Sequence, residues 1–426
     1  MDADQMLRQE EVSTFLAEEI EKEKRRHRFF EDAAESAFPC VDAILDRAQA
    51  FVRGIGTPDL PERVQIRKLG SDKKRVVYVY PDTDRLMLKA VHYCLARTEI
   101  GLSPCCLAFR PGFSIRAAFR SVVLRYRPDY ACIRIDIRNY FNSVPVERMV
   151  RILTDALERE PGVAASVTAM LRNDRVREKG RVVRDESKGI MAGMPLSPLL
   201  ANLYLTDFDR EAVTWAPVYA RYSDDMIFFC NPGEVKSLWD RIEKALLLHG
   251  LCRNEEKSVV VSPGEGWEFL GLSYRAGRIG LSEASVRKMK GKISRAARKL
   301  YRWKVRKEAS TERAVRAMIR KFRFKFFGTG DRDDELTWSR WYFPLISDAD
   351  DLREIDSYMQ SMLRYLETGR HTKKNYKNLP YSELQRMGYV PLVSAYYAMR
   401  AGSEKSGMKT IKTASHRCPS KRQEPT

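Results

Sequence analysis

Two adjacent carboxylates, Asp224 and Asp225, sit between two runs with the composition of β-strands. Val218-Tyr219-Ala220-Arg221-Tyr222 leads into Ser223 and the pair, and Met226-Ile227-Phe228-Phe229-Cys230 leads out. Apolar and β-branched residues flanking a short polar stretch predict a hairpin with residues 223–225 at its tip. Neighbouring anions repel, so a fold keeps them together only if water or a cation compensates them. A solvated turn and a divalent-cation site account for this stretch equally well. A second acidic position separates the two. Ile133-Arg134-Ile135-Asp136-Ile137 alternates in the manner of a strand and delivers Asp136 near its end. One carboxylate closing a strand and two on a distant hairpin are the usual ingredients of a two-metal phosphoryl-transfer site.

Other segments give these acids a context. Phe141 follows Asp136 by five positions, and Tyr222-Ser223-Asp224-Asp225 closes the first arm of the hairpin. Between them runs Gly189-Ile190-Met191-Ala192-Gly193-Met194-Pro195-Leu196-Ser197-Pro198-Leu199-Leu200. In order and spacing the three segments resemble motifs A, C (YxDD) and B of reverse transcriptases of the group II intron and retron-like bacterial type. The resemblance extends over roughly residues 63–274. It implies an α+β right-hand polymerase: fingers, a palm of antiparallel sheet backed by helices, a helical thumb and a helical C-terminal extension. The expected divisions are 1–60 (helical lead-in), 61–130 (fingers), 131–280 (palm, with a fingers insertion at about 146–190), 281–330 (basic thumb), 331–402 (helical extension) and 403–426 (disordered tail).

The same resemblance assigns roles residue by residue. Asp136 and Asp224 would hold two Mg²⁺ ions, with Mn²⁺ as the substitute, Asp225 as third ligand and Ile137 giving a backbone carbonyl. Phe141 falls where the family keeps a bulky side chain beneath the substrate sugar, excluding a 2′-hydroxyl; packing in the core is the alternative. Strand-like runs at 64–67 and 75–80 flank a basic, glycine-containing turn, the position of the fingers hairpin, so Lys68 and Arg75 are expected on the triphosphate; an exposed basic turn is the alternative. Phe109-Arg110-Pro111-Gly112 looks like the family's FRPG segment, making Arg110 a nucleic-acid contact, although a Pro-Gly turn would read the same in isolation. In motif B, Ser197 is expected as a helix N-cap with Pro198 at the first helical position. Gly189 and Gly193 are expected to let backbone lie close to template or substrate. The family often has Pro-Gln-Gly where this chain has Met191-Ala192-Gly193, so Ala192 lacks the amide that would bond near the nucleotide. Asn254-Glu255-Glu256-Lys257 resembles motif D, where Lys257 would protonate the departing pyrophosphate; a surface lysine is the alternative. Trp267 to Leu272 resembles the primer grip, expected at Phe269, Leu270 and Gly271.

Beyond Ser282, Val286, Met289, Ile293, Ala296, Leu300 and Trp303 recur in steps of three and four, predicting one long amphipathic helix. Its other faces carry Lys292, Arg295 and Lys299 among further cations, a solvated surface in isolation and a phosphate-tracking thumb after a primer grip. Residues 172–184 read as a basic connector. The chain has 76 Lys plus Arg against 57 Asp plus Glu, a net charge of +19. That excess favours a nucleic-acid partner over a membrane, since no long apolar run occurs. The acidic N-terminus precedes no apolar signal core, and eight cysteines without a CxxC pair point to neither zinc nor a disulfide framework. A reducing cytoplasm is the expected setting.

The expected activity is RNA-directed DNA synthesis from deoxynucleoside triphosphates on an RNA template, yielding DNA. Residues 331–402 show no Cys/His cluster of the kind that ends many mobile-intron enzymes, and no Val-Thr-Gly of the retron type follows the YxDD motif. This leaves a resemblance to free-standing, defence-associated enzymes that use a dedicated noncoding RNA. Two other activities stay open: a template-independent or protein-primed polymerase, which Ala192 favours, and an inactive RNA-binding splicing-type factor, which the intact acids disfavour.

Overall fold

The computed structural model describes residues 2–30, 39–67, 74–98, 100–110, 115–328 and 337–405. Lys68, the tip of the fingers hairpin, residues 111–114 and the tail from 406 lie outside them. The chain divides into two compact units, residues 1–277 and 278–426.

Among the described residues, ten strands belong to the first unit. They are β1 (Glu62–Arg67), β2 (Lys74–Val79), β3 (Ala131–Asp136), β4 (Arg175–Glu178), β5 (Arg181–Arg184), β6 (Val218–Tyr222), β7 (Asp225–Cys230), β8 (Val259–Val261), β9 (Trp267–Phe269) and β10 (Leu272–Arg275). The central sheet runs β6-β7-β3-β8, antiparallel throughout. Its register pairs Asp136 with Asp225 and Tyr222 with Asp225. Apolar side chains on both faces hold the sheet in the interior: Ile133 and Ile135 on β3 and Met226, Ile227, Phe228 and Phe229 on β7 are all buried to 1% or less. Helices cover this sheet, chiefly Val146–Ala156, Ser197–Tyr204 and Val235–Leu248, whose apolar stripes join the same core.

A second sheet, β2-β1-β4-β5, carries the fingers hairpin. Sequence reading takes 172–184 as an irregular connector, but it forms the β4–β5 hairpin, and Glu62 of β1 pairs in parallel with Arg177 of β4. Charged residues at three of the four positions of β4 and two of the four of β5 conceal these strands; only Val176 of β4 is buried. Two helices, Val146–Ala156 and Pro161–Arg172, precede the hairpin.

The motif B helix also departs from expectation. It begins at Ser197, but Leu196 occupies the cap position and no side chain caps the end. The Ser197 hydroxyl donates instead to the Ile190 and Met191 carbonyls, bracing the turn before the helix. The apolar stripe runs on to Phe208, yet the helix breaks at Leu205 and restarts as Thr206–Ala212.

The second unit opens with β11 (Arg278–Leu281) and is otherwise helical. Its long helix Glu283–Arg306 is capped by Ser282, whose hydroxyl accepts from Ser285 N. Val286, Met289, Ile293, Ala296 and Ala297 are buried, while Leu300 and Trp303 remain partly exposed. Thr311–Phe327 and Asp350–Thr368 pack with it, and Lys290 pairs with Glu354 across the last of these contacts. Among the described residues no helix is long and apolar enough to cross a membrane.

Candidate active site

The hairpin tip and the end of β3 meet at one edge of the central sheet. Ile137 N donates to the Asp224 carbonyl at 3.2 Å, tying the two acidic segments together just beyond the last ladder pair. Ser223 adopts φ 61, a left-handed conformation that reverses the chain in two residues. Asp225 is the first residue of β7, with the tip reduced to Ser223 and Asp224.

The electrostatics of the three acids differ. Burial, then the neighbouring charge of Asp136, raises the Asp224 carboxyl above its ordinary range. Burial, then Asp224 and Asp136, pushes Asp225 up to about 6. Asp136 is compensated instead: Lys257 Nζ donates to its Oδ1 at 2.6 Å and Asn254 Nδ2 to its Oδ2 at 2.9 Å. Asn254 N also donates to the Asp136 carbonyl at 2.6 Å, so the motif D loop is hung on the motif A strand. That role of Asn254 is not evident from the sequence, since a polar residue in a loop carries no period.

Carboxyls whose pKa values are raised because they lie close together out of water have the chemistry a divalent cation would relieve. Asp224 and Asp225 fit that description. Among the described residues, however, no three Asp, Glu, His or Cys side chains converge tightly enough to grip one ion. Each Asp136 oxygen accepts one of these bonds, from Lys257 and from Asn254, and keeps a further lone pair for a cation.

Beside the acids lies a cavity of about 360 Å³ lined by Arg75, Arg85, Lys89, His92, Phe141, Ala192, Gly193, Met194, Pro195, Ser197 and Pro198. Four residues expected at the nucleotide, Arg75, Phe141, Ala192 and Gly193, thus share one wall system. Arg75 also lowers the Asp224 pKa by its charge, against the larger effects of burial and Asp136. Phe141 is partly buried against the core and tilted on Tyr140 with ring centroids 5.8 Å apart. Arg85, Lys89 and His92 come from the helix Asp82–Leu95, and the sequence gives Lys89 and His92 no role. Arg85 and Lys89 are answered by the helix Glu10–Phe30: Lys89 pairs with Glu19 at 2.7 Å, and Arg85 with Glu23 at 3.2 Å.

The motif B glycines lie close against the chain itself. A Cβ on Gly189 would stand 2.5 Å from the Phe141 carbonyl oxygen, and one on Gly193 would stand 2.7 Å from that of Tyr78. Both close approaches are to this chain's own backbone, locking motif B onto motif A and onto β2. Ala192 is held the same way: its N–H donates to Asn142 Oδ1 at 2.9 Å and its carbonyl accepts from Tyr78 N at 2.8 Å.

Arg110 gives its guanidinium to the Ser103 carbonyl at 3.0 Å. In the β9–β10 turn Phe269 is buried, and Leu270 (φ 53) and Gly271 (φ 80) form the more open apex. Below it Trp267 stacks on Tyr274 and meets Phe119, Tyr126 and Phe229 edge-on or tilted. In the second unit Arg295 and Lys299 are exposed. Lys292 has its pKa lowered by burial and then by the like charges of Lys325, Lys288 and Arg295.

No curated protein sequence matches the chain. Solved structures similar to it include telomerase from Candida albicans in complex with a fragment of telomeric RNA, at 11% identity over 87% of this chain and 68% of that one, TM-score 0.40. Apo telomerase from Candida tropicalis is similar at 12% identity over 81% of this chain and 67% of that one, TM-score 0.40. A form of the latter truncated from its C-terminal domain gives 12% identity and TM-score 0.38; the match covers 53% of this chain and only 55% of that one. The family assignment rests on the sequence match: residues 66–274 fit the model of the family described as reverse transcriptase (RNA-dependent DNA polymerase). The stretch from β1 to β10, with its three acids at one sheet edge beside a basic cavity, is therefore a reverse transcriptase domain.

Proposed function

We propose that the protein extends a primer 3′ end with deoxynucleotides on an RNA template, using two divalent cations, Mg²⁺ by preference, held by Asp136 and Asp224 with Asp225 and the Ile137 carbonyl. The observation that carries this reading is the register of the central sheet, which sets Asp225 opposite Asp136 with Asp224 next to it. Bound there, the cations would supply activation of the primer hydroxyl and neutralisation of the leaving pyrophosphate.

The chain's own residues do the remaining work. Arg75, on β2 of the hairpin, offers a guanidinium to the triphosphate, and Lys68 is assigned the same task by resemblance. Phe141 excludes the 2′-hydroxyl by occupying its space, and Ala192 and Gly193 form the floor opposite. Lys257 stands at Asp136 with half its side chain exposed, so it can release that carboxylate and deliver a proton to pyrophosphate. The Leu270-Gly271 apex guides the primer strand. Lys292, Arg295 and Lys299 bind backbone phosphates without reading sequence, and the 62% exposed Phe324, among Arg320, Lys321 and Lys325, adds a surface for a base to stack on. Arg110 acts chiefly by shaping the loop before residue 111. The template is a dedicated noncoding RNA, the setting the cytoplasm and the role anti-phage defence; these rest on the sequence resemblance.

The test is primer extension by purified protein on an RNA template, with sequencing of the products and of the RNA that copurifies. Template-complementary DNA is expected, abolished by Asp136→Asn or Asp224→Asn in folded protein. Products without complementarity to any template would replace this reading with untemplated synthesis. Undiminished synthesis by either variant would remove the carboxylates from the chemistry.

A further inference from the structure

One charged cluster next to the acids has no part in binding or chemistry as described so far. Arg221 immediately precedes the YxDD segment, and both it and Asp209 are fully buried. Arg221 Nε donates to Asp209 Oδ1 at 2.8 Å and Nη2 to Oδ2 at 2.6 Å, a two-pronged pair. Tyr219 OH adds a bond to the same Oδ1 at 2.6 Å. The guanidinium has two further contacts, both to backbone: Nη2 to the Asn202 carbonyl and Nη1 to the Ser223 carbonyl, each at 3.3 Å. The main chain of Arg221 is itself pinned, its N–H donating to the Cys105 carbonyl and its carbonyl accepting from Leu107 N.

A buried ion pair is poor value as a stabiliser, because taking two charges out of water costs nearly what their attraction returns. An apolar pair of similar volume would fill this space as well. What an apolar pair lacks is a donor for Ser223. That residue sits at φ 61 without being glycine, and such a conformation persists only where its surroundings over-determine it. The Ser223 carbonyl belongs to the peptide that carries the Asp224 N–H. Fixing it therefore fixes where the Asp224 carboxylate starts.

We propose that Arg221, locked by Asp209, is a positioning residue for the acidic tip: its Nη1 bond to the Ser223 carbonyl sets the placement of Asp224 and Asp225. Lysine at this position keeps the charge but has one nitrogen and no fork, so it can answer Asp209 or Ser223 and not both. This inference rests on the polymerase reading for its catalytic consequence, and on the fold alone for its structural one.

Two variants of the full chain test it, Arg221→Lys and the charge-free double variant Asp209→Asn/Arg221→Met. Amide hydrogen exchange is the first readout. Loss of one buried hydrogen bond should speed exchange of residues 223–225 about tenfold, with the rest of β6 and β7 and the helix Val235–Leu248 unchanged. A merely structural role predicts a uniform rise over the whole sheet, or none, and either result overturns the proposal. The second readout is kinetic, on a primed RNA template. The turnover number should fall about tenfold or more while KM for the nucleotide stays within about threefold, since the cavity is untouched. Mn²⁺ affinity, measured by electron paramagnetic resonance without substrate, should weaken in parallel. A loosened tip with full turnover and unchanged Mn²⁺ affinity would also overturn it. If wild-type protein makes no DNA, the polymerase reading fails, while the exchange result still decides whether Arg221 holds the tip. Should the double variant not fold, Arg221→Lys alone carries both readouts.

Discussion

Replacing Asp225 by Asn should make the metal-free protein more stable at pH 8 and less able to synthesise DNA. The carboxyl is pushed from 3.8 to about 6, first by burial, then by Asp224 and Asp136. A raised carboxyl pKa means the folded state prefers the proton. The penalty for ionising it is therefore absent below pH 3.8, grows between 3.8 and about 6, and is complete above that. At about 1.4 kcal/mol per pH unit the full difference is about 3 kcal/mol, and partial solvent access at the tip reduces the expected value to about 1–2 kcal/mol. Asn has nearly the same shape and no charge, so it removes the penalty without opening a cavity. In a unit of this size that gain corresponds to a melting temperature higher by about 2–5 °C. The assay is calorimetric melting in chelator at pH 8 and pH 4.5, repeated with Mg²⁺. At pH 8 the variant should melt above wild type, at pH 4.5 the gap should narrow, and Mg²⁺ should raise wild type more than the variant. Equal melting at pH 8, or a gain undiminished at pH 4.5, would refute the claim that crowded, buried charge is what the tip stores.

Three further outcomes follow from the same geometry. Phe141→Ala should raise ribonucleotide use relative to deoxynucleotide use by about 100-fold, measured on both substrates with one preparation; lost stability with unchanged sugar preference would make Phe141 a packing residue. Replacing Lys292, Arg295 and Lys299 together by Ala should lower the slope of log affinity against log salt by about 2–3 for any RNA sequence; an unchanged slope would mark the helix as a solvated surface. Asp224→Ala should abolish synthesis and leave RNA binding intact, as filter binding and primer extension on the same sample will register, because removing an anion does not weaken a cationic surface.

What the sequence determined by itself were the parts that repeat or alternate. Alternation marks β3, and short apolar runs mark β6 and β7, whose residues are buried on both faces. The three-and-four stripe from Val286 marks the long helix because its buried side chains recur along one face. The acids are legible because a third carboxylate, Asp136, closes a second strand, and a solvated turn does not account for that. Only the tertiary structure decided which groups answer those acids. Lys257 and Asn254 reach Asp136 from more than a hundred positions away, and Arg221 reaches Ser223 only because Asp209 locks it from a helix. The β4–β5 hairpin is hidden by its charged faces, since one buried valine makes no pattern. Gly189 and Gly193 read as room for a ligand, and each also makes room for another segment of the same chain, Phe141-Asn142 and Tyr78. A glycine reports that something lies close, and only the three-dimensional packing says what.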